Sequence, residues 1–121
     1  MTGTTPGAFP AALAQACADA LDRPGSAAVI AADDQLGTLA RMLGRAGVAH
    51  GTLDGDGPGA RLTLVPVTLA KGLEFDHVIV TEPARIAAAH SRGLHQLYVA
   101  LTRAVSRLTV LHTQPLPEPL R

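Results

Sequence analysis

The chain has 121 residues, 47% of them hydrophobic, which suits one compact globular domain rather than several. Ten basic residues balance ten acidic ones, so the positive excess of a free-standing nucleic-acid binder is missing. Cys17 is the only cysteine, which excludes an internal disulfide and a cysteine zinc cluster. The sequence has no secretory signal and no apolar run near the roughly 20 residues of a membrane helix, so we expect a cytoplasmic protein without membrane contact.

The N-terminal segment predicts a disordered stretch followed by a helix. Residues 1–7 are rich in Gly, Thr and Pro and are expected to be disordered. Pro10 suits the first turn of the helix, where a missing N–H has no consequence, and Pro24 with Gly25 ends it.

A buried strand and a second helix follow. The continuous apolar run 27–32 (AAVIAA) is typical of a strand that is buried on both faces. Asp33 or Asp34 can cap the second helix, which has one apolar face and a natural end at Gly47.

The middle of the chain predicts a loop and two more strands. Residues 52–59 (TLDGDGPG) form a loop by composition. Residues 61–67 are predicted to form the second strand, in which Pro66 is acceptable only where the strand ends. Residues 77–81 are predicted to form the third strand.

The C-terminal part predicts a helix, a fourth strand at 107–112 and an extended Pro-rich tail at 114–121. Ser91 can cap the helix, whose apolar positions recur every three or four residues and share one face: Leu94, Leu97, Tyr98, Leu101 and Val105.

The alternation of helices and buried strands predicts an α/β fold, a three-layer sandwich with a mostly parallel sheet. Ligands of such sheets bind at the carboxyl ends of the strands. The candidate segments are Asp33-Asp34, residues 68–76 and the helix that follows Ser91.

Residues 68–76 (TLAKGLEFD) combine side chains that suit a phosphorylated ligand. Gly72 allows a turn or a close approach of the backbone, and Lys71 is a mobile cation suited to phosphate. Glu74 can accept hydrogen bonds from hydroxyls, such as those of a ribose. On spacing alone, a surface pair between Lys71 and Glu74 without function is favoured over a ligand site.

Residues 97–104 (LYVALTRA) place Arg103 in the last turn of the predicted helix, away from its apolar face. An arginine there can stabilise the helix dipole. It can also serve as an arginine finger, because a guanidinium group binds two phosphate oxygens during phosphoryl transfer.

Taken together, KGLEFD (71–76), VIVTEP (78–83) and YVALTRA (98–104) resemble motifs V and VI of UvrD-like superfamily 1 helicases. The resemblance covers about residues 61–113. It implies a RecA-like P-loop NTPase fold, the C-terminal part of a second motor domain, over residues 8–113. The leading LTLVPVTLAKGLEF is similar to the branch that contains HelD-type proteins, which act on RNA polymerase.

The resemblance also implies roles for single residues. Arg103 would reach the γ-phosphate of ATP, Glu74 would approach the ribose, and Gly72 would shape the loop beneath the nucleotide. Thr68 and Lys71 would lie toward single-stranded DNA.

Departures from the family pattern limit what this chain can do alone. Thr68 stands where UvrD-type members commonly carry a histidine, and no GxxxxGK[ST] phosphate loop is present. We therefore expect ATP and Mg²⁺ to be held mainly by a first motor domain that this chain lacks, with no metal site and no tightly bound cofactor here. Phe75 and Tyr98 are implied to be structural.

The implied function is the C-terminal portion of an ATP-dependent DNA helicase or translocase, inactive and monomeric as an isolated chain. Its partners would be the remainder of the helicase chain and single-stranded DNA. Two alternatives stay open: a piece of a HelD-like ATPase associated with RNA polymerase, or a non-catalytic interaction module that retains the helicase fold.

Two other protein classes fit the residues less well. A CheY-type receiver domain would share the paired acids Asp33 and Asp34, but it needs an aspartate at the end of its middle strand, where Thr68 stands. A metal protein would need histidines at ligand spacing, which the five histidines lack: His50, His77, His90, His95 and His112.

Overall fold

The structure, a computed structural model, describes residues 2–53 and 61–120, so most of the loop predicted at 52–59 lies outside the described residues. In chain order the helices and strands are β1 (Thr2–Gly3), α1 (Phe9–Leu21), β2 (Ala27–Ala31), α2 (Leu36–Arg45), β3 (Gly51–Thr52), β4 (Leu62–Pro66), β5 (Phe75–Thr81), α3 (Pro83–Ala88), α4 (Gly93–Leu101) and β6 (Ala104–His112).

These strands form one six-stranded sheet in the order β1-β6-β5-β2-β4-β3, and every pairing in it is parallel. All five residues of β2 are buried, as expected for a central strand. Pro66 pairs at the last position of β4, where its missing N–H does not interrupt the ladder. The predicted α/β fold with a mostly parallel sheet is confirmed.

The side chains of β2 alternate between two separate cores. Ala27, Val29 and Ala31 pack with α1 and α2 on one face of the sheet. The intervening residues, Ala28 and Ile30, pack with α3 and α4 on the other face. The helices therefore cover both faces of the sheet, which makes the three layers that the sequence predicted.

The turn before β2 connects the amino ends of β2 and β5. The Asp76 carboxylate accepts a hydrogen bond from the Ser26 backbone N–H at 2.8 Å and another from the Ser26 hydroxyl. Gly25 has φ +108°, and a Cβ at this position would lie 2.6 Å from Asp76 Cγ. A residue without a side chain is therefore required here.

The structure differs from the sequence predictions near both termini. Thr2 and Gly3 form a short strand beside β6, within the segment that was expected to be disordered. At the other end, Glu118–Leu120 forms one 3-10 turn within the predicted extended tail.

The orientation of α4 corrects the predicted apolar face. Tyr98 is 66% exposed and Leu94 is 55% exposed, so the prediction that Tyr98 faces the core is wrong. The buried positions of α4 are Gly93, Leu97 and Ala100. Two of these are small, and a Cβ on Gly93 would lie 2.6 Å from the Ala87 carbonyl carbon. Close packing of α4 against α3 therefore selects the face with the smallest side chains.

The ends of α4 also differ from the prediction. Arg92 precedes the first helical residue, and Ser91 makes no capping hydrogen bond. Val105, assigned by its spacing to the helix, lies in β6 and is 65% exposed.

Candidate functional site

The two segments that the sequence analysis singled out meet on the face of the sheet covered by α4. The chain leaves β4 through the 3-10 turn Val67–Leu69, turns at Lys71 and Gly72, and enters β5 at Phe75. Gly72 has φ +85°, a conformation that favours glycine. The backbone N–H of Phe75 donates to the Arg103 carbonyl at 3.1 Å, which joins this segment to the end of α4.

The Arg103 side chain is half-buried between α4 and the segment that precedes β5. Its Nε donates to the Val99 carbonyl at 2.9 Å, and one terminal nitrogen donates to Thr102 Oγ1 at 3.1 Å. The other terminal nitrogen lies 3.5 Å from the Leu73 carbonyl oxygen. A guanidinium group carries five N–H donors, so two remain beyond these three contacts for another acceptor.

Thr102 ends α4 and supports this arrangement. Its hydroxyl lies 3.0 Å from the carbonyl oxygens of Tyr98 and Val99, in the last turn of the helix. The Thr102 backbone N–H also donates to Val99 O, at 3.1 Å. Arg103 therefore follows a helix end whose last carbonyl groups are satisfied locally.

Glu74 is exposed beside this region, between Leu73 and Phe75. Its carboxylate therefore remains accessible to a hydroxyl donor. The structure thus brings Arg103, Glu74 and Gly72 into one part of the molecule, near the amino ends of β5 and β6.

Thr68 lies beyond the carboxyl end of β4, at the opposite end of the parallel strands from Arg103. Its hydroxyl and its backbone N–H both donate to the Asp33 carboxylate. Neither Asp33 nor Asp34 makes a helix-capping hydrogen bond, so the predicted capping role is wrong for both. Sequence reasoning missed this pairing because 35 residues separate the two partners. The hydroxyl hydrogen of Thr68 is occupied, so Thr68 can offer a nucleic acid only an acceptor.

Glu82 is a buried acid that sequence reasoning also missed. It has φ +49°, the one positive value outside glycine among the described residues. Its carboxylate accepts hydrogen bonds from the Thr113 backbone N–H, at 2.7 Å, and from the Thr113 hydroxyl. These bonds hold the strained backbone and join the carboxyl ends of β5 and β6, so we assign Glu82 a structural role.

Lys71 lines a groove between the Val67–Leu69 turn and the first turns of α4, with a volume of about 220 Å³. We call it the basic groove and define it by Thr68, Lys71, His90, Arg92, His95 and Gln96. Neither Glu74 nor Arg103 lines it. The structure therefore separates the predicted site residues into two groups. Gly72, Glu74 and Arg103, which were predicted to bind the nucleotide, form the nucleotide group, and Thr68 and Lys71, which were predicted to bind nucleic acid, form the nucleic-acid group.

The remaining chemistry of the described residues is limited. Among residues 2–53 and 61–120, no three His, Cys, Asp or Glu side chains cluster as a metal site would require. Burial raises the pKa of the Cys17 thiol to about 12. In the same ranges, no helix has both the length and the apolar character needed to cross a membrane.

The region that contains both groups of predicted site residues matches a known protein family. The profile of the UvrD-like helicase C-terminal domain matches residues 62–111. This chain is therefore similar to UvrD-like helicases over residues 62–111. The matched UvrD-like region runs from the start of β4 nearly to the end of β6, so it includes the segment before β5, α4 and Arg103. The resemblance to UvrD-like helicases, first drawn from two short motifs, is confirmed.

Solved structures extend the likeness beyond the UvrD-like region. The C-terminal domain of a possible DNA helicase from Lactobacillus plantarum WCFS1 superimposes with a TM-score of 0.79 at 26% identity, over 98% of this chain and 76% of that one. An arterivirus nonstructural protein 10 helicase, solved with DNA, has a TM-score of 0.60 at 17% identity. That match covers 93% of this chain and 28% of the viral one, and it supports the fold alone. No curated protein sequence matches the chain significantly.

Proposed function

We propose that this chain is the C-terminal portion of the second motor domain of an ATP-dependent DNA helicase or translocase. It would complete an ATP site that it shares with a first motor domain. The observation that carries the proposal is the hydrogen bond from the Phe75 backbone N–H to the Arg103 carbonyl, at 3.1 Å, because it joins the two helicase motifs beside Glu74.

In this proposal Arg103 is the arginine finger. Its Nε is held by Val99 and its two remaining N–H groups lie on the terminal nitrogens, which suit two oxygens of a γ-phosphate. A positive charge fixed in this way would stabilise the charge that develops on the transferred phosphoryl group. The contacts to protein carbonyls orient the guanidinium before the nucleotide arrives, which reduces the reorganisation needed during the reaction.

Glu74 would accept hydrogen bonds from the ribose hydroxyls, and Gly72 would allow the backbone to pass beneath the nucleotide. The residues present fit this part of an ATP site, since the exposed carboxylate of Glu74 immediately precedes Phe75, whose backbone is bonded to Arg103, and the Arg103 guanidinium has unused donors. The chain has no GxxxxGK[ST] phosphate loop. The β-phosphate and Mg²⁺ would therefore be held by the first motor domain, and this chain would bind ATP only weakly.

The nucleic-acid group would contact single-stranded DNA in the intact helicase. Lys71 is exposed in the basic groove and can reach a phosphate. Thr68 would contribute less directly, because Asp33 already occupies its hydroxyl hydrogen. None of the described contacts favours RNA polymerase as a partner.

Two measurements on the isolated 121-residue chain test the proposal. We expect no ATP hydrolysis above background, with or without single-stranded DNA, and weak oligonucleotide binding by fluorescence anisotropy. A DNA-stimulated ATPase rate that persists through further purification would contradict the assignment of the phosphate-binding machinery to another domain. Submicromolar DNA affinity at physiological salt would contradict the expected minor DNA contact.

A further inference from the structure

A cleft between α1 and the sheet belongs to neither group of predicted site residues. It lies on the face of the sheet opposite α4 and has a volume of about 280 Å³. We call it the α1 cleft. Its wall is formed by Ala12, Ala16 and Ala20 of α1, and its floor includes His77 and Ile79 of β5 and Leu111 of β6.

The sequence of α1 leaves this space open. The three alanines recur every four residues, so they lie along one strip of the helix, above β5 and β6. An alanine side chain ends at Cβ, so the strip does not fill the space above Ile79 as larger side chains would. Because protein interiors are normally close-packed, a cleft of this size beside buried residues has room for a ligand. The flat strip opposite the sheet gives the cleft the shape of a slot, which suits a planar group.

His77 supplies one buried polar group. The residue is 7% exposed, and its ring Nε2 lies 3.1 Å from the Pro24 carbonyl oxygen. A carbonyl oxygen only accepts, so Nε2 carries the hydrogen, and Nδ1 of the neutral ring is an acceptor. Nδ1 is buried and has no hydrogen-bond partner among the described residues. Buried polar atoms of native proteins are nearly always paired, so this lone pair indicates a missing donor.

The charged side chains of the α1 cleft lie on its rim. Asp19, Arg23 and Arg107 are exposed and include both signs of charge, so they select neither an anion nor a cation. Among the buried residues that line the cleft, His77 is the only polar one in the described chain. A ligand that matches this interior is uncharged, mostly apolar and able to donate one hydrogen bond.

The volume of the cleft sets the size of such a ligand. A cavity of about 150 Å³ is sufficient to bind benzene. The α1 cleft, at about 280 Å³, therefore has room for one six-membered ring with a substituent, or for the two fused rings of indole.

We propose that the α1 cleft binds a small, uncharged aromatic molecule of the phenol or indole class, whose O–H or N–H donates to His77 Nδ1. The ring of His77 is held through Nε2, and a small rotation about its Cβ–Cγ bond presents Nδ1 to a donor in the cleft. This inference does not rest on the proposed helicase function, because none of the predicted site residues lines the cleft.

The test is an NMR titration of the ¹⁵N-labelled 121-residue chain with p-cresol, with indole and with toluene, which has the ring of p-cresol without its hydroxyl. We expect p-cresol and indole to shift the backbone resonances of residues 12–20 and 77–79. We also expect p-cresol to bind about fivefold more tightly than toluene, the factor that one neutral hydrogen bond contributes.

Three variants locate the ligand. Ala16→Leu fills the slot without changing His77 and should abolish the binding of all three compounds. Ala18→Leu places the same side chain at an exposed position of α1 outside the cleft and, as the matched control, should leave binding unchanged. His77→Phe removes the acceptor but keeps a ring, so it should reduce the affinity for p-cresol to that for toluene. If His77→Phe does not fold, the ratio of p-cresol to toluene affinity and the two alanine variants decide.

Three results would overturn the inference. Shifts that persist in Ala16→Leu would place the ligand elsewhere on the protein. Equal affinities for p-cresol and toluene would mean that His77 Nδ1 accepts no bond from the ligand. Absence of shifts with both p-cresol and indole would mean that water alone fills the cleft.

Discussion

Replacing Arg103 with alanine should separate catalysis from stability in a helicase that carries this chain. The bond from Nε to Val99 O belongs to the charge-assisted class, which contributes about 1.5–3 kcal/mol. Two features reduce that value here. Val99 O keeps two donors from Thr102, and the contact with Leu73 O, at 3.5 Å, is at the limit of a hydrogen bond. We expect the free energy of unfolding to fall by about 1–2 kcal/mol.

The catalytic effect should be larger. Arginine fingers contribute about a thousandfold or more to phosphoryl transfer, which corresponds to at least about 4 kcal/mol of barrier. Arg103→Lys keeps the charge but cannot bind two oxygens in one plane, so it should also lose most of the turnover. The predicted loss of turnover therefore exceeds what partial unfolding at 25 °C could cause.

The assay pairs urea denaturation of the 121-residue chain with steady-state ATPase of a polypeptide that joins it to a first motor domain. Arg107→Ala removes the same charge four residues further along, from an exposed position on β6, and should keep near-normal turnover. If Arg103→Ala retains more than about a tenth of the wild-type rate, Arg103 is a structural arginine at a helix end and not a finger.

Three further tests address the fold. Leu97→Ala should lower the free energy of unfolding by about 2–4 kcal/mol, because Leu97 is 2% exposed, whereas Tyr98→Ala should change it by less than about 0.5 kcal/mol. Equal losses in urea denaturation would mean that α4 is rotated. Gly25→Ala should cost about 1–3 kcal/mol through backbone strain and contact with Asp76, and its effect should not add to that of Asp76→Ala in a double-mutant cycle. The Cys17 thiol, with its pKa raised from 9.0 to about 12, keeps its proton in the folded state where the unfolded chain loses it. The free energy of unfolding that the buried, protonated thiol contributes should therefore decrease as pH rises above about 9. Rapid labelling of the native protein by a thiol reagent at pH 8 would contradict the burial of Cys17.

The sheet could be predicted because each of its central strands contains an apolar run. Residues 27–32, 61–67 and 77–81 were assigned from runs that strands buried on both faces require, and each assignment overlaps a strand. The starts of β5 and β6 were missed by two and three residues, because Phe75-Asp76 and Ala104 to Ser106 are not continuously apolar. Strand ends that extend past the core carry little hydrophobic pattern.

The candidate site was predictable only where local sequence determines it. Gly72 and the arginine after α4 are visible as a motif, and the structure brings their segments together. The pairing of Asp33 with Thr68 depends on strand order, which juxtaposes the ends of β2 and β4. Tyr98 was misassigned because helical spacing shows which residues share a face but not which face packs. The face of α4 that packs contains the small residues Gly93 and Ala100, whose weak apolar pattern the prediction overlooked.

Gly93 allows α4 to pack closely against α3, and the position of α4 in turn sets the position of Arg103 beyond the other end of the helix. Any side chain larger than hydrogen at Gly93 would push α4 away from α3, because its Cβ would lie 2.7 Å from the Ile86 carbonyl oxygen. Ordinary contact distance would require a displacement on the order of 1 Å, and a rigid helix of nine residues would transmit it to Arg103. A misplacement of about 1 Å in a catalytic group can cost about a hundredfold in rate. A glycine ten positions away from the proposed finger would thus act as a determinant of ATP turnover, although it touches neither the nucleotide nor the DNA.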